Sequence, residues 1–320
     1  MSSNFWEELK KPFFVLAPMA DVTDIAFRQV VIECGRPDVL YTEFVSAAGL
    51  CSEKGRPKLL PHFKFAENEH PIVAQIFGSV PKHFYETAKL IAGLGFDGID
   101  INMGCPDRKV VKQGAGIALC KTPELAAEII AETKRGAGGL PIAIKTRLGF
   151  DKIDLTWIEN ILKCDIDALT IHLRTMKETS KVLAHWELAG EIAKLAHTYN
   201  TIIIGNGDVL THAEGIQKCE QPGLDGIMIG RGIFSNPWFF NPSVDIHTKT
   251  SKERITLLKH HISNFMNLWD PPTGDSATLR NYDTMKRFFK VYIHGFDGAK
   301  ELRDKLMQTK TPTETLALLK

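Results

Sequence analysis

The sequence predicts an α/β chain in which a (β/α)8 TIM barrel is followed by a small C-terminal helical bundle. Three observations predict it. Eight short apolar runs, most of them β-branched and bounded by Gly, Pro or Asp, alternate with helical stretches over about 240 residues, the count and size of such a barrel. Three helix-to-strand turns echo one another: Gly95-Phe96-Asp97-Gly98-Ile99-Asp100-Ile101, Gly223-Leu224-Asp225-Gly226-Ile227-Met228-Ile229 and, more loosely, Asp167-Ala168-Leu169-Thr170-Ile171. The strand pattern then stops near residue 250. A doubly wound open sheet is the rival arrangement, but no GxGxxG follows the first strand.

In order, the expected strands are Phe13–Ala17, Val39–Glu43, Ile72–Ile76, Gly98–Asn102, Pro141–Thr146, Ala168–His172, Thr201–Gly205 and Gly226–Ile229. Helical stretches between them include His83–Leu94, Pro123–Lys134, Leu155–Lys163, Trp186–Tyr199 and His212–Cys219. Thr122-Pro123 places Pro at a first helical position, and Thr211 stands before the His212 helix as a cap. Residues 46–71 read as loop. Beyond 250, Ile255, Leu258, Ile262, Phe265, Met266 and Trp269 form a helical stripe across Ser251–Asp270. Pro271-Pro272-Thr273-Gly274-Asp275 is a break, and Ala277–His294, Ala299–Gln308 and Thr313–Leu319 are further helices, with Asp297 and Thr311-Pro312 at starts. The expected domains are residues 1–245 and 246–320.

Composition narrows the class. The chain has 320 residues, 39 Lys and Arg against 38 Asp and Glu, and 44% hydrophobic residues, which excludes disordered and fibrous classes. No apolar run reaches the ~18 residues of a membrane span. The start is neither a signal nor a transit peptide in composition. Six scattered cysteines without a CxxC or metal spacing lead us to expect a cytoplasmic protein with free thiols and no metal. Residues 251–320 hold 12 Lys and Arg against 8 Asp and Glu, a basic excess that a polyanionic partner and a solvated helical surface explain equally well.

In this fold the chemistry lies at the C-terminal strand ends. Here those ends carry Ala17-Pro18-Met19-Ala20, Glu43, Gln75, Asn102-Met103-Gly104-Cys105-Pro106, Lys145-Thr146-Arg147, His172-Leu173-Arg174-Thr175, Gly205-Asn206-Gly207-Asp208 and Gly230-Arg231-Gly232. Any one polar strand end is commonplace; together on one rim they form a polar basin. Loops after the seventh and eighth strands commonly hold phosphate, and the two Gly-flanked segments there offer unobstructed N–H groups and a guanidinium. Gln75, Lys145 and His172 suit a flat heteroaromatic ring, with Lys145 near the N1/C2=O end of a reduced flavin. The combined picture is FMN. Cys105 sits on the rim among Gly104, Gly114 and Gly116, which suit a lid. Its thiol, protonated at neutral pH, can donate a proton as well as attack.

At these residues the chain resembles the tRNA-dihydrouridine synthase family. The matching segments are Ala17-Pro18-Met19-Ala20-Asp21-Val22-Thr23-Asp24, Ala74-Gln75-Ile76-Phe77-Gly78, Ile101-Asn102-Met103-Gly104-Cys105-Pro106, Lys109 with Gly114-Ala115-Gly116, and Lys145-Thr146-Arg147-Leu148-Gly149, followed by the last three strand ends. The likeness runs from about residue 12 into the C-terminal helices, at Lys286-Arg287-Phe288 and Glu301-Leu302-Arg303. It implies reduction of the C5=C6 bond of uridine in tRNA by FMN, itself reduced by NADPH or NADH. Hydride goes to C6 and a proton to C5. It implies Cys105 as the acid, Asn102 as a uracil edge contact and Arg147 on the uracil carbonyl or a nearby phosphate. Pro18, Met19, Gln75, Lys145, His172, Asn206, Gly207, Asp208, Gly230 and Arg231 match FMN contacts. Glu43 would orient Gln75 or Lys145.

The tRNA partner would meet the basic C-terminal segment through Arg280, Lys286, Arg287, Lys290, Lys300, Arg303 and Lys305, and a rim of Lys109, Lys112, Arg174, Lys177 and Lys181. A monomer is expected. One departure is Leu173, where the family commonly has Gly, which predicts an altered path over the flavin. A flavin barrel reducing a free pyrimidine or other small enone-like substrate is the alternative, distinguished by the basic bundle. A non-catalytic RNA-binding barrel is a third reading, against which the intact Cys105, Lys145 and phosphate loops speak.

Overall fold

Alternation along each strand splits the barrel's residues into two apolar cores. Residues such as Ile99, Ile101 and Met103, or Ile142 and Ile144, join the larger core against the helices. Phe13, Val15, Tyr41, Val73, Ala143, Ala168, Ile204 and Met228 form a second core inside the barrel, closed at its base by Trp6. In the computed structural model, which describes residues 4–269 and 280–320, the strands are β1 (Phe13–Leu16), β2 (Leu40–Tyr41), β3 (Val45–Ser46), β4 (Ile72–Phe77), β5 (Gly98–Met103), β6 (Ile142–Arg147), β7 (Ala168–His172), β8 (Ile202–Asn206) and β9 (Gly226–Ile229).

All ladders are parallel, in the order β1-β9-β8-β7-β6-β5-β4-β2 with β3 beside β4. A bridge between Val15 and Val39 closes the ring. The expected second strand is thus two short pieces, β2 and β3, filling one barrel position. The architecture is a (β/α)8 barrel with helices following it, as the sequence pattern predicts.

The sequence echo has a physical reason. Asp97 accepts from the N–H of Ile72 at 2.6 Å, Asp167 from Ile142 at 2.7 Å, and Asp225 from Ile203 at 2.8 Å. Asp38 does the same for Phe14 at 2.7 Å. Each carboxylate, standing just before its own strand or bridge, accepts from the first or second N–H of a neighbouring strand at the barrel's N-terminal end.

Residues 46–71 depart from the loop expectation. They hold helices Ala47–Cys51 and Arg56–Leu59 and 3-10 turns Leu60–Phe63 and Glu67–Glu69. Ser46 caps the first by accepting from Gly49 N–H. Helix Ile25–Cys34, capped by Asp24, packs its apolar face against the long helix Ser251–Trp269. In that long helix Leu258, Ile262, Phe265 and Trp269 are buried, while Ile255 and Met266 are only partly covered.

The proposed break at residues 271–275, and the start of the Ala277 helix, lie outside the described residues. After residue 280 the chain forms two single turns, Asp283–Lys286 and Phe289–Tyr292, rather than one helix reaching His294. Ala299–Gln308 and Pro312–Leu318 complete the bundle; the former begins after Gly298, at φ 80°, not at an Asp297 cap. The rings of Phe27, His261 and Phe288 stack the bundle on the barrel, with centroids 4.6–5.5 Å apart. Among the described residues no helix is long and apolar enough to cross a membrane, and no three His, Cys, Asp or Glu side chains are placed to hold a metal ion.

Candidate active site

A period of two puts Asp100 and Asn102, Lys145 and Arg147, Thr170, His172 and Arg174, and Asn206 on inward faces. At the C-terminal mouth they border a cleft of about 580 Å³. Pro18 and Met19 line it from β1, Lys145 and Arg147 from β6, and His172 from β7. Asn206, Gly207 and Asp208 follow from β8, and Gly230 and Arg231 from β9. Pro106 lines the opposite edge.

The backbone explains the two phosphate-type loops. Gly207 has φ 136°, and a Cβ there would meet Ala184 Cβ at 2.8 Å. No hydrogen bond among the described residues uses the N–H groups of Gly207, Asp208, Arg231 and Gly232. Arg231 is 64% exposed, and its one ion pair among the described residues is with Asp208, at 3.6 Å.

Positive charge gathers at the mouth. Burial, then Arg147 beside it, lowers the Lys145 ammonium to about 8. Burial lowers Arg147 to about 10, with Arg174 and Arg231 adding to the effect. Burial drives the His172 imidazole far below its ordinary value, and the surrounding Arg147, Lys145, Arg174 and Arg231 push it further. His172 is therefore neutral.

Gln75, Asn102 and Cys105 stand beside the cleft. Gln75 is fully buried: its Nε2 donates to Asp100 Oδ2 at 2.6 Å, and its Oε1 accepts from Asn102 Nδ2 at 3.0 Å. Asn102 Oδ1 accepts from the N–H groups of Gly104 at 3.1 Å and Cys105 at 2.9 Å. The Asn102 amide is thus engaged in shaping the Cys105 loop. Arg147 Nε donates to Gly104 O at 2.9 Å and its Nη1 to Thr175 O at 3.3 Å, tying the same loop from the other side. Cys105 lies within the electrostatic reach of Arg147 and Lys145, and burial raises its thiol above the ordinary 9.0. Gly116, at φ 60°, lets the following turn close on it; a Cβ there would meet Cys105 O at 2.7 Å.

Several placements correct the sequence reading. Arg280, expected on a phosphate-facing surface, is a buried clamp: its Nη1 and Nη2 donate to Glu43 Oε2 and Oε1 at 2.6 and 2.8 Å. Glu43 therefore orients neither Gln75 nor Lys145. Burial alone would raise its carboxyl, but the Arg280 and His62 hydrogen bonds win and hold it at about 2. Lys286 is mostly covered and pairs with Asp283 at 2.8 Å, while Arg287 is half exposed and lies 3.5 Å from Asp21. Arg174, placed on the RNA-facing rim by its charge, is 2% exposed and paired with Asp208. Leu173 packs into the outer core, so its bulk does not enter the cleft. Sequence reasoning missed Arg174 as a cleft residue and passed over Asp100; the period of two from His172 and Asn102 marks both.

Comparison with known proteins decides the family. A family model described as Dihydrouridine synthase (Dus) matches residues 15–320. The chain belongs to the dihydrouridine synthase family. It is 48% identical to the "Probable tRNA-dihydrouridine synthase 2" of Bacillus subtilis strain 168, covering 100% of this chain and 96% of that one. It is 47% identical to the "Probable tRNA-dihydrouridine synthase" of Staphylococcus aureus strain Mu50, covering 100% and 95%. Solved structures of morphinone reductase (TM-score 0.51, 9% identity, 71% of this chain and 84% of that one) and of 6-hydroxypseudooxynicotine amine oxidase from Pseudomonas geniculata N1 (0.53, 14%, 74% and 49%) share the fold.

Proposed function

We propose that this chain is an FMN-dependent tRNA-dihydrouridine synthase, reducing the C5=C6 bond of uridine with NADPH or NADH as the reductant. The observation that carries the cofactor reading is the cluster of Lys145, Arg147, Arg174 and Arg231 around a neutral His172, with Asp208 the carboxylate facing it. Burial and Arg147 lower Lys145, burial with Arg174 and Arg231 lowers Arg147, and a dianionic phosphate with an electron-rich ring edge relieves the repulsion among these cations. The cleft volume falls within the ~300–1,000 Å³ of small-molecule sites. The residues therefore fit FMN.

Arg231 and the N–H groups of Gly207, Asp208, Arg231 and Gly232 would hold the phosphate, with Asn206 and Gly230 shaping its approach. Pro18, Met19, Lys145 and His172 would hold the ring, Lys145 at its C2=O end. Gln75 would act through Asn102, to which it is bonded. When bound, the flavin supplies hydride transfer between the nicotinamide and the base. Cys105 keeps its proton at neutral pH because burial raises its pKa, so the thiol is an acid able to protonate uracil C5. Asn102 and Arg147 fix the backbone that aims it. Arg147 Nη2, without a hydrogen-bond partner among the described residues, would serve the uracil carbonyl or a nearby phosphate.

A uridine must leave its stack to reach this mouth, which favours an open loop of the tRNA. Exposed Lys109, Lys112, Lys177 and Lys181, in the segments that carry the cleft residues Pro106, Thr179 and Ser180, would serve as phosphate contacts, with Arg287, Lys290 and Lys300 on the helices from residue 246 onward, which we assign as the tRNA-binding domain. We further assign the protein as a cytoplasmic monomer. The names of its relatives support the tRNA substrate. The test is direct. Purified protein should show flavin absorbance bleached by NADPH, and tRNA from a strain lacking the gene should lose dihydrouridine. A colourless protein that takes up no FMN, or unchanged tRNA where no second synthase is encoded, overturns the reading.

A further inference from the structure

His172 ends β7 facing the cleft, and Arg174 lies two residues on. Arg174 Nη1 stands 3.2 Å from His172 Nε2. A guanidinium has five donors and no acceptor, so Nε2 has to accept. A ring nitrogen that accepts carries no proton, and a neutral imidazole has one proton to place; it sits on Nδ1. Nδ1 has no partner among the described residues and is not among the fully buried unpaired atoms, so it opens onto the cleft.

Arg174 is itself held. Its Nε donates to Val182 O at 2.8 Å, and its Nη2 donates to the Asp208 carboxylate. Asp208 in turn accepts from Ala184 N–H at 3.0 Å. Burial would raise the Asp208 carboxyl, but the Arg174 and Ala184 hydrogen bonds overcome it and hold the group below its ordinary value. On the far side Gly207 runs against the ring: a Cβ there would lie 3.5 Å from His172 Cδ2. The Nε2/Cδ2 edge is therefore packed and spoken for, and the other edge is the one a ligand meets. The charged groups around the ring are Lys145 and Arg147 on β6, Arg174 after β7, Asp208 after β8 and Arg231 after β9.

We propose that Arg174 and Asp208 are positioning residues that lock His172 in its Nδ1–H tautomer, making it a fixed neutral hydrogen-bond donor to an acceptor atom of the flavin. The role rests on the FMN reading above; the tautomer itself does not. With the opposite tautomer, a lone pair would face the cleft and repel a carbonyl or phosphate oxygen. An imidazolium would add a fifth cation to a mouth that already holds four. The lock avoids both.

Histidine 15N resonances of the flavin-free protein test it, with His172→Asn identifying the signal. We expect the His172 ring to be protonated at Nδ1 alone, without titrating between about pH 5 and 8. Arg174→Met should release it, so that the signal moves towards the Nε2–H form or begins to titrate. A second arm does not need that variant to fold. The amide of Asn places its N–H near Nδ1, and that of Gln near Nε2. His172→Asn should therefore bind FMN about tenfold more tightly than His172→Gln, the difference of one ordinary hydrogen bond. Nε2 protonation in the wild type, titration near neutral pH, or Gln outperforming Asn overturns the proposal. Because the resonances are read without flavin, a protein that binds no FMN would defeat the cofactor assignment and still report the tautomer.

Discussion

Arg280→Met removes the guanidinium that joins the C-terminal helices to the end of the second strand position. The side chains of Arg280 and Glu43 are 7% and 3% exposed, and the pair is bidentate at 2.6 and 2.8 Å. Asp24 lies 3.7 Å away and is also buried. Two arguments size the loss. At about 1.36 kcal/mol per pH unit, holding the Glu43 carboxyl at about 2 instead of 4.5 corresponds to about 3 kcal/mol. Removing one partner of a buried pair costs about 3–5 kcal/mol, because the other charge is stranded.

The effect depends on pH with a definite sign. The Glu43 carboxyl is depressed in the folded protein, so its contribution is complete above about pH 4.5 and disappears as pH falls towards 2. In Arg280→Met, burial is no longer opposed by the guanidinium, the stranded carboxyls bind protons more readily, and the deficit shrinks from pH 7 to pH 5. Urea unfolding followed by the fluorescence of buried Trp269, whose ring centre lies 5.4 Å from the Arg280 guanidinium carbon, reads this out. The cycle with Glu43→Gln should show a coupling of about 2–3 kcal/mol, the double variant being less damaged than the two losses together. A single-variant loss under about 0.5 kcal/mol, or strict additivity, would refute the clamp.

Other expectations concern the cleft. Cys105→Ala should retain FMN and its bleaching by NADPH while uridine reduction falls about 10²–10⁴-fold, measured in single turnover on tRNA. Arg231→Ala should weaken FMN by about 10- to 100-fold in a titration, the worth of a charge-assisted hydrogen bond. Asn102→Ala frees the N–H groups of Gly104 and Cys105, so uridine reduction should drop at least about tenfold with FMN affinity little changed. Uridine reduction should hold level through neutral pH and decline above about 8 as Lys145 loses its proton; a rate that climbs with pH would point to a required thiolate instead of a thiol.

The barrel was legible because its strands are bounded by turn residues and separated by helical stretches, signals local to each segment. The strand ends were legible for the same reason, since a parallel barrel delivers every C-terminal strand end to one rim. What pattern cannot convey is which polar group satisfies which. Gln75 and Asn102 lie on the catalytic rim in sequence, yet their amides turn towards one another and Asp100. Arg280 sits in a basic segment, yet three nearby carboxylates, Asp21, Asp24 and Glu43, claim it across more than 230 positions of chain. Charge counting sent it to the surface, because long-range pairing leaves no periodic trace. Arg174 went astray similarly, although strand alternation placed it beside His172. The helices within residues 46–71 escaped notice because each is only four or five residues long, too short to show a periodic face.

The most direct measurement is dihydrouridine formed in an unmodified tRNA transcript by the FMN-loaded protein with NADPH. The account predicts stoichiometric loss of specific uridines, abolished without flavin and nearly abolished by Cys105→Ala. Full turnover by Cys105→Ala, or no dihydrouridine from protein whose bound flavin NADPH does reduce, would contradict it.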